Sequence, residues 1–141
     1  MELVADTNIV AAAILRDGLT RSLLFRSDIQ AYSPAHLLDE LEKYKPEFME
    51  KSGLSPDSYD DAVKLVLRNV STSQLDNYAQ FEQEAKKISP DPGDWPFFAL
   101  ALAKNCAVWS NDKKLKNQKQ VTVYDTTELY GILPKPERGT L

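Results

Sequence analysis

The stretch DPGDWPFFALALAKNCAVWSND, residues 91–112, carries most of the information about the fold of this chain. Its Ala- and Leu-rich part predicts a buried helix over residues 97–104, and the apolar residues 107–109 predict a buried strand directly after it. Two acidic residues flank these elements: Asp94 precedes the helix, and Asp112 follows the strand. A helix that leads into a buried strand in this way is typical of α/β proteins with parallel sheets.

Strands and helices alternate along the rest of the chain in the same manner. Further strands are predicted at residues 2–5, 29–32, 70–72 and 121–124. Further helices are predicted at residues 9–15, 20–26, 34–52, 56–67, 78–88 and 126–130. Two of these helices begin with a Ser-Pro start signal, at residues 33–34 and 55–56. The alternation predicts right-handed crossovers and a three-layer α/β/α fold with a central, mainly parallel sheet.

The chain has the size and composition of one soluble domain, with 141 residues of which 43% are hydrophobic and 27% charged. We expect that domain to cover residues 1–133 and residues 134–141 to form a C-terminal tail. No apolar run approaches the ~20 residues that cross a bilayer, and no signal peptide is evident. The single cysteine, Cys106, excludes an internal disulfide and is expected in the core. These features favour a cytoplasmic protein.

Four acidic residues lie at the end of a predicted strand or near the start of a predicted helix: Asp6, Glu40, Asp94 and Asp112. Because open α/β sheets bind ligands at the carboxyl ends of their strands, we expect the four to meet at one edge. Clustered carboxylates without a neighbouring Lys or Arg repel one another unless a divalent cation lies between them. Oxygen ligands of this kind suit Mg²⁺ or Mn²⁺. Taken singly, each acid also has an ordinary interpretation as a helix cap, a turn residue or a surface residue.

The segments around these acids resemble, in order, the motifs of the PIN-domain nucleases, which include the VapC-type toxins. The apolar strand that closes in Asp-Thr-Asn at residues 6–8 is similar to the N-terminal motif, and Glu40 stands where the family has a Glu on an early helix. Residues 91–103 are similar to the third acidic motif, and residues 109–115, WSNDKKL, to the fourth. The resemblance implies a PIN-like parallel sheet and metal-dependent cleavage of single-stranded RNA.

The resemblance also implies roles for single residues. Four are expected to be catalytic and to bind the metal: Asp6, Glu40, Asp94 and Asp112. Four are expected to orient these carboxylates or to touch the scissile phosphate: Thr7, Asn8, Ser110 and Asp91. In the third motif, Asp91 is an alternative metal ligand to Asp94. In the second motif, Asp39 and Glu42 lie close to Glu40, so the choice of its acidic residue stays open. The implied partners are single-stranded RNA, an antitoxin protein and further copies of the chain in a homodimer or larger homo-oligomer.

The overall charge gives no support to nucleic-acid binding, since the formal net charge is −4. The positive charges are unevenly placed, however, and some follow the first and fourth acidic motifs. Three of these are predicted to contact RNA phosphates: Arg16, Lys113 and Lys114. A solvated helix surface is the alternative interpretation of the same residues.

The single histidine, His36, cannot form a zinc site or a Ser-His-Asp triad by itself, and we expect it in the first turn of a helix. Trp95, beside Asp94, is expected to be a hydrophobic anchor or a subunit contact, with stacking on a base as the alternative. Trp109 lies in a predicted strand and is expected in the core.

Two other functions remain open at this point. A PIN-like RNA-binding or scaffold protein without catalysis would keep the fold and lose the metal. A phosphotransferase of the haloacid-dehalogenase or receiver type also has an Asp after its first strand. The haloacid-dehalogenase pattern requires a second Asp at the position of Asn8. The receiver pattern requires a Lys after a late strand, and Lys113 and Lys114 lie too close to Asp112 to match it well.

Overall fold

The computed structural model describes residues 1–135 of the chain. Five strands of this part form one sheet in the order β3-β2-β1-β4-β5, and every pairing is parallel. The strands are β1 Glu2–Ala5, β2 Gln30–Pro34, β3 Val70–Ser73, β4 Ala107–Trp109 and β5 Val123–Tyr124. The first strand therefore occupies the centre of the sheet, between β2 and β4. This arrangement confirms the predicted parallel sheet.

Helices cover both faces of the sheet. The α-helices among the described residues are α1 Thr7–Leu15, α2 Leu19–Leu24, α3 Leu37–Lys43, α4 Lys45–Ser52, α5 Pro56–Leu67, α6 Glu82–Ile88, α7 Trp95–Lys104 and α8 Thr126–Ile132. Side chains of successive strand residues point to opposite faces. Accordingly, Leu3 and Ala5 pack with the core cluster that contains α1 and α5, whereas Val4 packs with the cluster that contains α7. The three-layer α/β/α prediction is thus confirmed.

Helix α7 is the element that the 91–112 stretch predicts most directly. Its residues 97–101 are all buried, because the helix is apolar on nearly every side and lies against the sheet. It ends at Asn105, which adopts a left-handed backbone conformation with φ 51°, a conformation that Asn tolerates better than most residues. The chain then enters β4, where Ala107 pairs with Leu3 and Trp109 pairs with Ala5.

The prediction of one helix over residues 34–52 is wrong. Pro34 is the last residue of β2, and α3 begins only at Leu37, with His36 as its N-cap. A second helix, α4, begins at Lys45 after a break at Tyr44. Pro46 accounts for the break, because proline has no N–H to donate and its ring clashes with the carbonyl four residues earlier.

Two other elements differ in their bounds. The predicted helix over residues 78–88 begins as a short 3₁₀ turn, Ala79–Phe81, and becomes α-helical at Glu82; another 3₁₀ turn, Leu75–Asn77, precedes it. The last strand is two residues long instead of four, since Val121 bonds to the side chain of Gln118 and not to a neighbouring strand.

The C-terminal boundary stays a prediction. Helix α8 ends at Ile132, and residues 134 and 135 are in neither a helix nor a strand. Residues 136–141 of the predicted tail lie outside the described residues. None of the helices within residues 1–135 combines the length and the apolar character needed to span a membrane.

Candidate active site

The four predicted acidic residues line one pocket of about 190 Å³. Asp6 and Asp112 come from the carboxyl ends of β1 and β4, Glu40 from α3, and Asp94 from the start of α7. Three of the other lining residues were also predicted site residues: Thr7, Asn8 and Asp91. No Lys or Arg is among the described residues that line this pocket. The carboxylates therefore face one another without a positive side chain between them.

A larger cavity of about 440 Å³ lies at the opposite edge of the sheet, around Glu2 and Cys106. Glu2 is the one carboxylate among the described residues that line it. Burial raises the pKa of the Cys106 thiol to about 11, so this thiol is not a nucleophile at neutral pH. Cys106 is only partly buried, at the edge of the core and not inside it as expected. The acidic pocket, although smaller, is the better candidate for chemistry.

Asp6 is both a helix cap and a pocket residue. Its Oδ1 accepts a hydrogen bond from the Ile9 N–H at 2.9 Å and so caps α1, and its Oδ2 accepts one from the Ser110 hydroxyl. The residue is only 7% exposed, and this burial is the main reason that its pKa is raised; the nearby charge of Asp112 acts in the same direction. Because each carboxylate oxygen can accept more than one contact, both oxygens retain capacity for a cation.

Asp94 has no capping role, although it occupies the N-cap position of α7. Its side chain accepts no hydrogen bond from the backbone of the helix. Its pKa is raised to about 6, chiefly by burial and then by the negative charges of Asp91, Asp6, Asp112 and Glu40. The carboxylates of all the predicted motifs therefore act on one another electrostatically, as their shared pocket requires.

Ser110 connects the first and the fourth acidic motifs. It is 1% exposed; its hydroxyl donates to Asp6 and accepts the backbone N–H of Asp112 at 3.1 Å. The Asp112 carboxylate itself accepts the Lys114 N–H at 3.0 Å and begins a short 3₁₀ turn, Lys113–Lys116. Asp91 behaves similarly, accepting the Gly93 N–H at 2.9 Å. Turn formation and pocket lining thus coexist in both residues.

Glu40 is held by His36, a residue for which the sequence predicted no role in the site. The His36 Nε2 lies 2.8 Å from the Glu40 Oε1, and the His36 ring packs edge-on against Phe97 with ring centroids 5.5 Å apart. The spacing of four residues on a helix is the signal that would have indicated this pair.

Thr7 contributes a buried hydroxyl that has no hydrogen-bond partner in the described part of the chain. Buried polar atoms in native proteins are nearly always paired with protein groups, water or ions. Thr7 lines the acidic pocket as a residue, while its hydroxyl oxygen is itself buried.

The donor set suits a hydrated divalent cation. Within residues 1–135, no three Asp, Glu, His or Cys side chains are already close enough to form a complete metal-binding group. The four predicted acids nevertheless line one pocket. Such a pocket suits Mg²⁺, because Mg²⁺ keeps several of its waters and needs few direct protein ligands.

The comparison with known families agrees with the geometry. A family model described as PIN domain matches residues 4–128. The chain belongs to the PIN-domain family. The structure is also similar to one chain of the crystal structure of VapBC2 from Rickettsia felis bound to a DNA fragment from their promoter, with a TM-score of 0.63 and 18% identity over 89% of this chain and 98% of that chain. A search of curated proteins gave no match.

Membership of the PIN-domain family confirms the resemblance inferred from the four motifs. It also decides against the haloacid-dehalogenase and receiver alternatives. At 18% identity, the likeness to the VapBC2 chain supports the fold alone.

The PIN domain brings two of the three predicted RNA-binding residues next to its acidic pocket. Lys113 and Lys114 are exposed directly after Asp112, and Lys113 lines an adjoining pocket of about 250 Å³ that shares Asp112 with the acidic one. Arg16 lies at the other end of α1 from Asp6, about 15 Å away along the helix axis, and lines a separate cavity. Contact of these side chains with RNA stays a prediction.

The two tryptophans of the PIN domain have structural contacts. Trp95 is half-buried and packs against Tyr78, with ring centroids 6.2 Å apart, while the Lys86 Nζ lies 5.2 Å above its ring. These contacts join α7 to α6 and to the turn before it, as expected for a hydrophobic anchor. Trp109 is fully buried, and its Nε1 donates to the Thr126 hydroxyl at 3.1 Å, which confirms its place in the core.

Proposed function

We propose that this PIN-domain protein is a metal-dependent endoribonuclease that hydrolyses phosphodiester bonds in single-stranded RNA. Members of the family are usually metal-dependent nucleases, and the finer assignment rests on the pocket of this chain. The observation that carries it is the meeting of Asp6, Glu40, Asp94 and Asp112 in one pocket without a basic side chain.

The side chains of the pocket have different roles in the proposed hydrolysis. We assign Asp6, Asp94 and Asp112 to binding Mg²⁺ or Mn²⁺, which when bound would activate a water and stabilise negative charge on the phosphate. Asp6 is the most rigidly held of the three, because both of its oxygens accept hydrogen bonds from the protein. Glu40 keeps one oxygen free of His36 and orients the attacking water or a second ion.

The residues beside the acids complete the proposal. Ser110 and Thr7 fix the orientation of carboxylates or meet the scissile phosphate through their hydroxyl groups, and Asn8 and Asp91 lie on the same wall. Lys113 and Lys114 attract the phosphates on either side of the cleavage point. An RNA strand bound along this edge would then pass from a basic surface into an acidic pocket.

Cleavage of single-stranded RNA in Mg²⁺, Mn²⁺ or EDTA tests the proposal, with Asp6→Asn and Asp17→Asn run beside the wild type. Asp17 is an exposed carboxylate outside the pocket, whose contact with Arg21 is long at 3.9 Å, so its variant controls for the loss of one charge. We expect cleavage to require the metal, to vanish in Asp6→Asn and to persist in Asp17→Asn. Equal cleavage by the wild type and Asp6→Asn would contradict the proposal.

We further propose that the protein is the toxin of a toxin–antitoxin pair in the cytoplasm and that it assembles as a homodimer or larger homo-oligomer. The support is the likeness of its fold to one chain of the VapBC2 complex, whose crystal structure contains a promoter DNA fragment. Induced expression that stops growth for the wild type and not for Asp6→Asn is the expected result. Growth arrest by both proteins would contradict a toxic nuclease activity.

A second candidate function is RNA binding or scaffolding without catalysis. The observation in its favour is that no three acidic, His or Cys side chains of residues 1–135 form a ready-made metal site. This function predicts RNA binding that is unaffected by EDTA, together with no heat of binding for Mn²⁺ in calorimetry. Metal-dependent cleavage would exclude it.

A further inference from the structure

His36 stands between two elements that supply acidic groups to the pocket. Its Nε2 lies 2.8 Å from the Glu40 Oε1 on α3, and its ring packs edge-on against Phe97 of α7 at a centroid distance of 5.5 Å. Phe97 is 3% exposed and comes three residues after Asp94, so its ring is fixed relative to that acid. The imidazole is therefore oriented by a rigid aromatic neighbour on one side and contacts a carboxylate on the other.

The 2.8 Å separation between the His36 Nε2 and the Glu40 Oε1 is within hydrogen-bond range. A nitrogen at hydrogen-bond distance from a carboxylate carries a hydrogen in both the neutral Nε2–H tautomer and the imidazolium ion. A hydrogen on Nε2 would engage the Glu40 Oε1, 2.8 Å away, and leave the other oxygen of Glu40 available to the pocket. A Glu side chain has several rotatable bonds, and without such a donor it would sample orientations that point into solvent, since Glu40 is about one-third exposed.

We propose that His36 is a positioning residue, which holds the Glu40 carboxylate toward the acidic pocket and sets its distance from Asp94 through the packing against Phe97. The inference rests on the proposed function, because it assigns Glu40 a part in metal or water binding. Removal of a hydrogen-bond partner that orients a metal-binding side chain commonly lowers metal affinity or activity by ~10–100-fold.

Two substitutions test separately the donor nitrogen of His36 and the packing of its ring. His36→Phe keeps an aromatic ring against Phe97 and removes the donor, whereas His36→Gln keeps an N–H donor of similar reach and removes the ring. Mn²⁺ affinity, measured by calorimetry, is the primary readout, and the kcat and KM of RNA cleavage are the second. We expect His36→Phe to bind Mn²⁺ about tenfold more weakly and His36→Gln to be closer to the wild type.

A control and a double variant make the test specific. Lys51→Gln breaks another pair at four-residue spacing, Lys51 with Glu47 at 3.1 Å, on a helix that does not line the pocket, and it is expected to leave Mn²⁺ affinity unchanged. In a Glu40→Gln background, His36→Phe is expected to have no additional effect, because His36 acts through Glu40. An equal loss in that background would overturn the inference by showing that His36 supports the fold only.

The remaining outcomes distinguish this inference from the proposed function. Wild-type affinity for Mn²⁺ in His36→Phe, with cleavage intact, would overturn the role of His36 and leave the nuclease proposal standing. Mn²⁺ binding that depends on His36 in a protein without cleavage would support the positioning role and overturn the nuclease activity. Absence of Mn²⁺ binding by the wild type would overturn both.

Discussion

Ser110 donates a hydrogen bond to Asp6, although 104 residues separate the two along the chain. The bond joins the carboxyl ends of β1 and β4, which are neighbours in the sheet, and the same hydroxyl accepts the backbone N–H of Asp112 at 3.1 Å. One buried oxygen thereby fixes the relative position of two acidic motifs. The stability of the fold and the geometry of the pocket depend on the same contact.

Ser110→Ala is expected to lower the free energy of unfolding by about 1–3 kcal/mol, because it leaves a buried carboxylate oxygen and a backbone N–H without this partner. Urea unfolding of the metal-free protein measures the change. Ser22→Ala, at an exposed position of α2, is the matched control and is expected to stay within about 0.5 kcal/mol of the wild type. Equal midpoints for Ser110→Ala and the wild type would show that the bond contributes nothing.

Two substitutions at Asp6 are expected to separate its capping role from its charge. Asn is as good an N-cap as Asp, whereas Ala cannot accept the Ile9 N–H, so Asp6→Ala is expected to be less stable than Asp6→Asn by about 1 kcal/mol. Both variants lose the carboxylate and are expected to lose at least ~100-fold in RNA cleavage. Parallel unfolding and cleavage assays give the two readouts. Substantial cleavage by Asp6→Asn would mean that the charge is not needed.

Asp94 gives the metal-free protein a specific dependence on pH. Its pKa is raised from the usual 3.8 to about 6 in the folded state, so the folded protein holds this proton more tightly than the unfolded chain does. The resulting stabilisation is complete below about pH 4 and is lost as the pH rises through about 6. In EDTA, Asp94→Asn is therefore expected to gain stability relative to the wild type between pH 4 and pH 7.

Melting temperatures of the wild type and Asp94→Asn, compared at both pH values with EDTA and with excess Mg²⁺, check this expectation. Mg²⁺ should raise the melting temperature of the wild type at pH 7 more than that of the variant. In the wild type the bound cation offsets the repulsion between Asp94 and the other carboxylates, and the variant has no charge at this position. A constant difference between the two proteins at pH 4 and pH 7 would contradict the raised pKa of Asp94.

The lysines after the fourth motif are expected to contribute to RNA affinity through phosphates. Replacing Lys113 and Lys114 by Gln should weaken binding for all sequences alike and reduce the salt dependence of the binding constant by about 0.7 per lost contact on a single strand. Fluorescence anisotropy over a range of salt concentrations, in the uncleaving Asp6→Asn background, measures the slope. Arg16→Gln, at the far end of α1, is the comparison. An unchanged slope after loss of both lysines would exclude them from the RNA path.

The fold could be predicted from the sequence because it follows from local patterns, and the four acids that line the pocket were predicted from their place after strands together with the resemblance to a family. Short apolar runs such as residues 107–109 form buried strands, and an acid that follows such a run is carried to the carboxyl edge of the sheet. Helix boundaries near proline were harder to predict, since Pro34 ends a strand while Pro46 starts a helix. Pro34 pairs with Ser73 of β3 as the last residue of β2, and its local neighbours give no sign of this tertiary pairing.

The contacts of His36 and Asp94 could not be predicted in the same way. An Asp before a helix is usually a cap, and the sequence does not reveal that the Asp94 side chain accepts no hydrogen bond from the backbone of α7. Whether the His36 ring meets Glu40 depends in turn on its packing against Phe97, which is 61 positions further along the chain. These details arise from the way that α3 and α7 dock on the sheet.

The central place of β1 in the sheet, next to β4, has a consequence for how the protein is made. The pocket needs Asp112, which is synthesised about 5–20 s after Asp6 at the usual rates of translation. Until β4 has emerged from the ribosome and paired with β1, the growing chain holds only part of its acidic cluster. The cluster on which the proposed cleavage depends is therefore incomplete during most of the synthesis of the chain.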